Sequence, residues 1–189
     1  MIETPTWSSL LLALLNREDL SVSEATWAME QVMLGNVSDA RLAAFLVALS
    51  AKGETVDEVV GFRDAALDHA RELPVSPWGV DIVGTGGDRF GTVNVSTMAS
   101  IVVAATGVPV IKHGNRAASS LSGSSDVLGA LGIPADLEPE RVAVILQEVG
   151  LTSANAAAFH PGFRHAAAVR FELGVPRAEE RRGGTQWWS

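Results

Sequence analysis

The hydrophobic period of this sequence changes once, at Pro74-Val-Ser-Pro77. Two prolines in four residues forbid a continuous helix across that point. Before it, apolar residues recur at helical spacing. Leu10, Leu11, Leu14 and Leu15 form one such group. Ser21-Val-Ser-Glu24 has the form of a capping box and precedes Trp27, Met29 and Val32. Ser38 heads a third helix carrying Leu42, Phe45, Leu46 and Leu49. Thr55-Val-Asp-Glu58 is a second capping box, leading into Val59, Val60, Phe62 and Leu67. Gly35 and Gly53 supply stops, and the short connections predict a compact antiparallel helical domain over residues 1–73.

After the prolines, short β-branched runs alternate with helical stretches. Val80-Asp-Ile-Val83 reads as a strand that runs into a glycine-rich loop. Thr97 to Thr106 reads as a helix, Val108 to Lys112 as a buried strand, and Asp126 to Leu131 and Glu140 to Val149 as helices. Residues 161–173 form an amphipathic helix opened by Pro161 and closed by Gly174. The alternation predicts an α/β domain with a parallel sheet over residues 78–176. Residues 177–189 have no periodicity, end in Trp187-Trp188-Ser189, and read as an appended tail.

Composition narrows the function classes. Hydrophobic residues are 47% and charged residues 19%, which suits a packed core. The net charge of −8 argues against a general nucleic-acid binder, which needs a basic face to displace counterions. It leaves room for a local basic pocket. Cysteine is absent, which removes disulfide frameworks, thiolate zinc sites and cysteine nucleophiles, and fits a cytoplasmic protein. The first residues carry no basic stretch before an apolar run, so no secretory signal is expected. No apolar run reaches the roughly 18 residues of a membrane span.

Three segments could carry chemistry. Gly84-Thr-Gly-Gly87-Asp88 follows a strand directly. It is either a phosphate-binding loop or a plain tight turn. It is not a dinucleotide fingerprint, because Arg89 stands at the third glycine position, and no Gly-Lys-Ser/Thr follows. Thr92-Val-Asn94-Val95-Ser96-Thr97 then enters a helix. Asn94 or Ser96 can simply cap it. Alternatively the helix start faces a phosphate, and the Ser96 hydroxyl offers a hard oxygen to Mg²⁺. The third segment is Lys112-His113-Gly114-Asn115-Arg116-Ala117-Ala118-Ser119-Ser120, with Ser122 and Ser124 beyond. A strand ends there, and cations at the carboxyl end of an α/β strand sit where such folds bind ligands. An anion pocket is favoured over a serine-rich surface loop. His113 is read as a hydrogen-bonded or packing residue. His160 and His165 lack partners at zinc spacing. Arg170 falls by default on a solvated helix face. No Ser-His-Asp set or Gly-x-Ser-x-Gly stands out.

In this order and spacing, the segments resemble the anthranilate phosphoribosyltransferase family. Val83-Gly-Thr-Gly-Gly-Asp88, Asn94-Val-Ser-Thr97, Lys112 to Ser120 with Gly123 and Asp126-Val-Leu, and Phe159-His-Pro-Gly-Phe-Arg-His-Ala-Ala-Ala-Val-Arg170 carry the likeness. It extends to about Pro176. The resemblance implies transfer of the phosphoribosyl group of phosphoribosyl diphosphate to the amine of anthranilate, in tryptophan biosynthesis, with Mg²⁺. It implies a small helical domain joined to an α/β domain, and a homodimer through the helical domain. Carried over, phosphoribosyl diphosphate would be lined by Gly84, Gly87, Asp88, Thr92, Asn94, Val95, Ser96 and Thr97, then by Lys112 to Ser120 and by Ser124. Ser96 would also bind Mg²⁺. Gly84, Asn115 and Arg170 would face anthranilate, with Arg170 on its carboxylate. No general base is named.

The departure is as specific as the match. After Gly174-Val-Pro176 the family continues with Phe-Asn-x-x-Gly-Pro-x-x-Asn-Pro and the rest of its α/β domain. This sequence continues Arg177-Ala-Glu-Glu. The Asp-Glu pair that the family uses for Mg²⁺ belongs to the unmatched part. The expectation is a frameshifted or truncated copy with weak or no catalysis alone. A pyrimidine nucleoside phosphorylase-like enzyme and a non-catalytic binding or dimerisation protein are the alternatives.

Overall fold

The computed structural model describes residues 4–75, 79–83, 93–114, 124–134 and 136–174. They fall into two compact units. The first opens with the helices α1 (Trp7–Leu15), α2 (Val22–Met33), α3 (Asp39–Lys52) and α4 (Val56–Asp68). Capping sets their starts. Thr6 with Ser9, Ser21 with Glu24 and Thr55 with Glu58 each close a reciprocal capping box at α1, α2 and α4. The box at Thr6 is one that sequence reading missed, because serine stands where glutamate is usual. Ser38 heads α3 by position but makes no side-chain capping bond.

Apolar faces of these helices meet in one core of Trp7, Leu10, Leu14, Leu20, Ala28, Val32, Met33, Leu42, Phe45 and Leu49. The Trp7 ring lies 5.5 Å from both Trp27 and Phe45, and meets Phe45 edge to face. Helices α2 and α4 approach closely because position 61 is glycine. A β-carbon there would lie 2.5 Å from the Val22 carbonyl oxygen. The same unit takes in a 3₁₀ turn, Pro161–Phe163, and the helix α9, Arg164–Leu173. Ala166 and Val169 of α9 are buried in the helical core. Gly174 ends α9 in the left-handed region, at φ 58°.

A buried ion cluster ties the first unit together. Glu58 is fully buried. Its carboxylate accepts from the backbone N–H of Leu20 at 2.9 Å and of Thr55 at 2.8 Å, and from Lys52 Nζ at 3.0 Å. Lys52 also donates to Asp19 at 2.8 Å. Burial pushes the Lys52 ammonium down, but its hydrogen bonds to Asp19 and Glu58 more than offset this and hold its pKa above the ordinary 10.5.

The second unit is a three-stranded parallel sheet with helices. Its elements are β1 (Val80–Asp81), α5 (Val95–Ala105), β2 (Val110–Gly114), α6 (Ser124–Ala130), α7 (Pro139–Val149), β3 (Leu151–Asn155) and α8 (Ala156–Phe159). The strand order is β1-β2-β3. Val80 pairs with Val110, and the β2–β3 register runs from Val110–Leu151 to Gly114–Asn155. The fold class is therefore a helical domain plus a parallel-sheet α/β domain. Strand β3 was absent from the sequence reading. Leu-Thr-Ser-Ala-Asn carries little strand preference, and pairing with β2 together with burial imposes its conformation.

Candidate functional site

In a parallel sheet all strands end on one edge. The chain leaves β1 after Asp81, β2 after Gly114 and β3 after Asn155 at that edge. Ligands of open α/β sheets gather outside such carboxyl ends. Lys112, His113 and Gly114 are the last residues of β2. Side chains alternate along the strand, so Lys112 and Gly114 share one face with Val110, and His113 shares the other with Ile111.

Lys112 is 3% exposed and donates to the carbonyl oxygen of its neighbour His113. Burial pushes its ammonium below the ordinary 10.5, and the Asp81 carboxylate opposes that shift. Asp81 accepts from the His113 backbone N–H at 3.0 Å, which braces the ends of β1 and β2. This carboxylate was not singled out in the sequence. The one signal for it was a charged residue inside the short strand run Val80-Asp-Ile-Val83.

Helix α5 starts with Asn94 as N-cap, followed by Val95, Ser96 and Thr97. Asn94 makes no side-chain capping bond to the helix. Ser96 is half-buried, and its carbonyl accepts from Ser100 Oγ at 2.7 Å. Thr97 is buried and its Oγ1 has no hydrogen-bond partner among the described residues. Ser124 is the first residue of α6. Arg170 is exposed on α9, in the first unit. Gly84, Gly87, Asp88, Thr92, Asn115, Arg116, Ala117, Ala118, Ser119 and Ser120, like the tail 177–189, lie outside the described residues.

Lys112 is thus a lysine buried at the carboxyl edge of a parallel sheet. Residues 8–70 match the helical bundle domain of a glycosyl transferase family, and residues 76–180 match its α/β domain. The chain belongs to this glycosyl transferase family. An anthranilate phosphoribosyltransferase of Leifsonia xyli subsp. xyli (strain CTCB07) is 70% identical over 176 residues, 93% of this chain and 50% of the relative. One from Rhodococcus jostii (strain RHA1) is 56% identical over 171 residues, 90% of this chain and 47% of the relative. Among solved structures, the anthranilate phosphoribosyltransferase of Thermus thermophilus superposes with a TM-score of 0.80 at 45% identity, covering 93% of this chain and 54% of that one. The Saccharomyces cerevisiae enzyme, in complex with PRPP and Mg, gives 0.82 at 27% identity, covering 94% and 54%. The chain thus spans about half the length of the relatives it matches.

Donor chemistry decides whether the described residues of this family member fit Mg²⁺. Ser96 offers one hard oxygen in the first turn of α5. Mg²⁺ takes six oxygens and usually keeps waters and substrate phosphates among them. Among the described residues no group of three or more His, Asp or Glu could hold a metal ion. One hydroxyl fits as a single ligand of an ion otherwise held by phosphate oxygens and water.

Proposed function

We propose that this chain carries the phosphoribosyl-diphosphate half-site of an anthranilate phosphoribosyltransferase, a glycosyltransferase joining the phosphoribosyl group to the amine of anthranilate. The observation that carries the reading is Lys112, buried as a cation at the sheet's carboxyl edge with no described carboxylate in an ion pair with it. A buried ammonium without a paired carboxylate suits an anionic ligand. The 70% identity to the Leifsonia xyli enzyme supports the choice of reaction.

In this reading diphosphate leaves C1 of the ribose as the aromatic amine attacks. Negative charge grows on the leaving oxygens. Lys112 neutralises it, and N–H groups at the start of α5, with Thr97 and Asn94, hold the phosphoryl end. The Gly84–Asp88 loop, Thr92 and the stretch from His113 through Asn115 and Arg116 to Ser120, with Ser124, complete the cradle. Mg²⁺, when bound, screens the leaving diphosphate, with Ser96 as one ligand. The family resemblance assigns Gly84 and Asn115 to anthranilate and Arg170 to its carboxylate. Much of the rate comes from holding the two substrates in line.

We also infer a homodimer through the helical unit and a cytoplasmic location. Leu12 and Leu15 of α1 and Val56 and Val59 of α4 leave apolar surface uncovered, which supports association. No described helix is long and apolar enough to cross a membrane. Titration of the chain with phosphoribosyl diphosphate and Mg²⁺, with anthranilate consumption followed in parallel, tests the function. Binding that is lost in Lys112→Met is expected, with slow consumption of anthranilate. Absence of binding, or phosphorolysis of a pyrimidine nucleoside in its place, would overturn it.

A further inference from the structure

Two buried hydroxyls beside Gly114, the last residue of β2, have no hydrogen-bond partner among the described residues. Ser125, in α6, is 7% exposed, and Ser153, in β3, is 8% exposed. Neither Oγ has a partner among the described residues. Both converge on Gly114. A β-carbon on that glycine would sit 3.3 Å from Ser153 Oγ and 3.5 Å from Ser125 Oγ. Ser153 is also the register partner of Lys112 in the β2–β3 ladder. Register partners in a parallel ladder present their side chains on the same face.

Buried hydroxyls are almost always hydrogen-bonded, so two orphans converging on one glycine need an explanation. Each is a donor waiting for an acceptor, and a lysine stands on the same face. Donors with a cation and no ion-paired carboxylate select an oxyanion over a cation or an apolar group. A water could satisfy the hydroxyls, but it would add no negative charge beside the buried ammonium, whose acceptor among the described residues is the His113 carbonyl and whose neighbouring charge is the Asp81 carboxylate. Burial also depresses the ammonium's pKa, and a bound anion would reverse that shift.

We propose that Ser125 and Ser153 are positioning residues that, around Gly114 and beside Lys112, donate to one oxyanion group of the substrate's diphosphate. The inference rests on the phosphoribosyl-diphosphate reading above and assigns it two further donors. Gly114 then has a specific purpose. A β-carbon there would stand in contact with both hydroxyls and compete with the oxyanion for them.

The test is calorimetric titration of the full 189-residue chain with inorganic diphosphate and Mg²⁺. The Ser125→Ala/Ser153→Ala double variant, each single variant, Gly114→Ala and Lys112→Met are compared with the parent. Each lost charge-assisted hydrogen bond should raise Kd about ten-fold. Gly114→Ala should weaken binding with both hydroxyls present. The double variant should melt, without ligand, at the parent's temperature or above it, because it discards unsatisfied donors. Two results overturn the inference alone. One is a Kd within about two-fold of the parent in the double variant while Lys112→Met abolishes binding. The other is a lower melting temperature with unchanged Kd, which assigns the serines to packing. If the parent binds neither diphosphate nor phosphoribosyl diphosphate, both readings fall.

Discussion

At the scale of single residues, Lys112 sets a pH signature that differs from that of an ordinary lysine. Its folded-state pKa lies below 10.5 because burial penalises the ammonium. Between that lowered value and 10.5 the unfolded chain binds the proton and the folded chain does not, so stability rises with pH across this window. Lys52 has the opposite sign. Its folded pKa is raised by Asp19 and Glu58 against the pull of burial, so its contribution is complete below 10.5 and is lost as pH climbs through the raised value. Urea midpoints followed through the alkaline range should separate the two. Lys112→Met should abolish the rise, and Lys52→Met the loss above 10.5. Diphosphate affinity should weaken as pH passes the lowered Lys112 value, earlier than an exposed lysine would allow. An affinity flat up to pH 10.5 would contradict the burial of that ammonium.

Elements are joined at specific points, and two of these yield measurable predictions. Glu58 serves the capping box of α4, the backbone ahead of α2 and the end of α3 at once. Glu58→Ala leaves the buried Lys52 ammonium with Asp19 and the Gly53 carbonyl and strips two N–H groups of their acceptor. About 3–5 kcal/mol of stability should be lost, read as the shift in urea unfolding of the helical signal. A loss below about 1 kcal/mol would mean that solvent replaces the carboxylate readily. Gly61→Ala forces a methyl to within 2.5 Å of the Val22 carbonyl oxygen, so α2 and α4 must separate. Overpacking of this kind costs about 1–3 kcal/mol, seen in the same measurement.

On the scale of the whole molecule, the first unit is assembled from distant stretches of chain. Helix α9 follows the sheet in sequence, yet Ala166 and Val169 complete the helical core. Removing residues 160–189 should therefore lower the melting temperature of the helical signal, although α1–α4 remain intact. A melting temperature equal to the parent's would show that α9 adds nothing to the core. Association is testable at this scale too. Leu15 is 73% exposed; on the proposed homodimer through the helical unit, the parent should sediment as a dimer and Leu15→Glu as a monomer, and a monomeric parent would overturn that proposal.

Most of the local structure was legible in the sequence, because its determinants are local. The boxes at Ser21–Glu24 and Thr55–Glu58, the strand through Lys112 (expected over Val108–Lys112, found over Val110–Gly114) and the helix closed by Gly174 depend on residues a few positions apart. The family was legible because the order and spacing of several short segments survive in the chain. Longer-range features were not. Strand β3 has no strand-like pattern of its own and exists because β2 pairs with it. Glu58 reads as a capping glutamate, and only the packing of α3 and the segment before α2 turns it into a fully buried anchor for Lys52. Ser125 and Ser153 are ordinary serines 28 positions apart in sequence. The register of two parallel strands and the packing of α6 bring their hydroxyls to the same glycine. Sequence determined which segments form and what chemistry they carry. Tertiary structure decided which side chains lose water together, and burial is what turns a lysine and two hydroxyls into a candidate binding site.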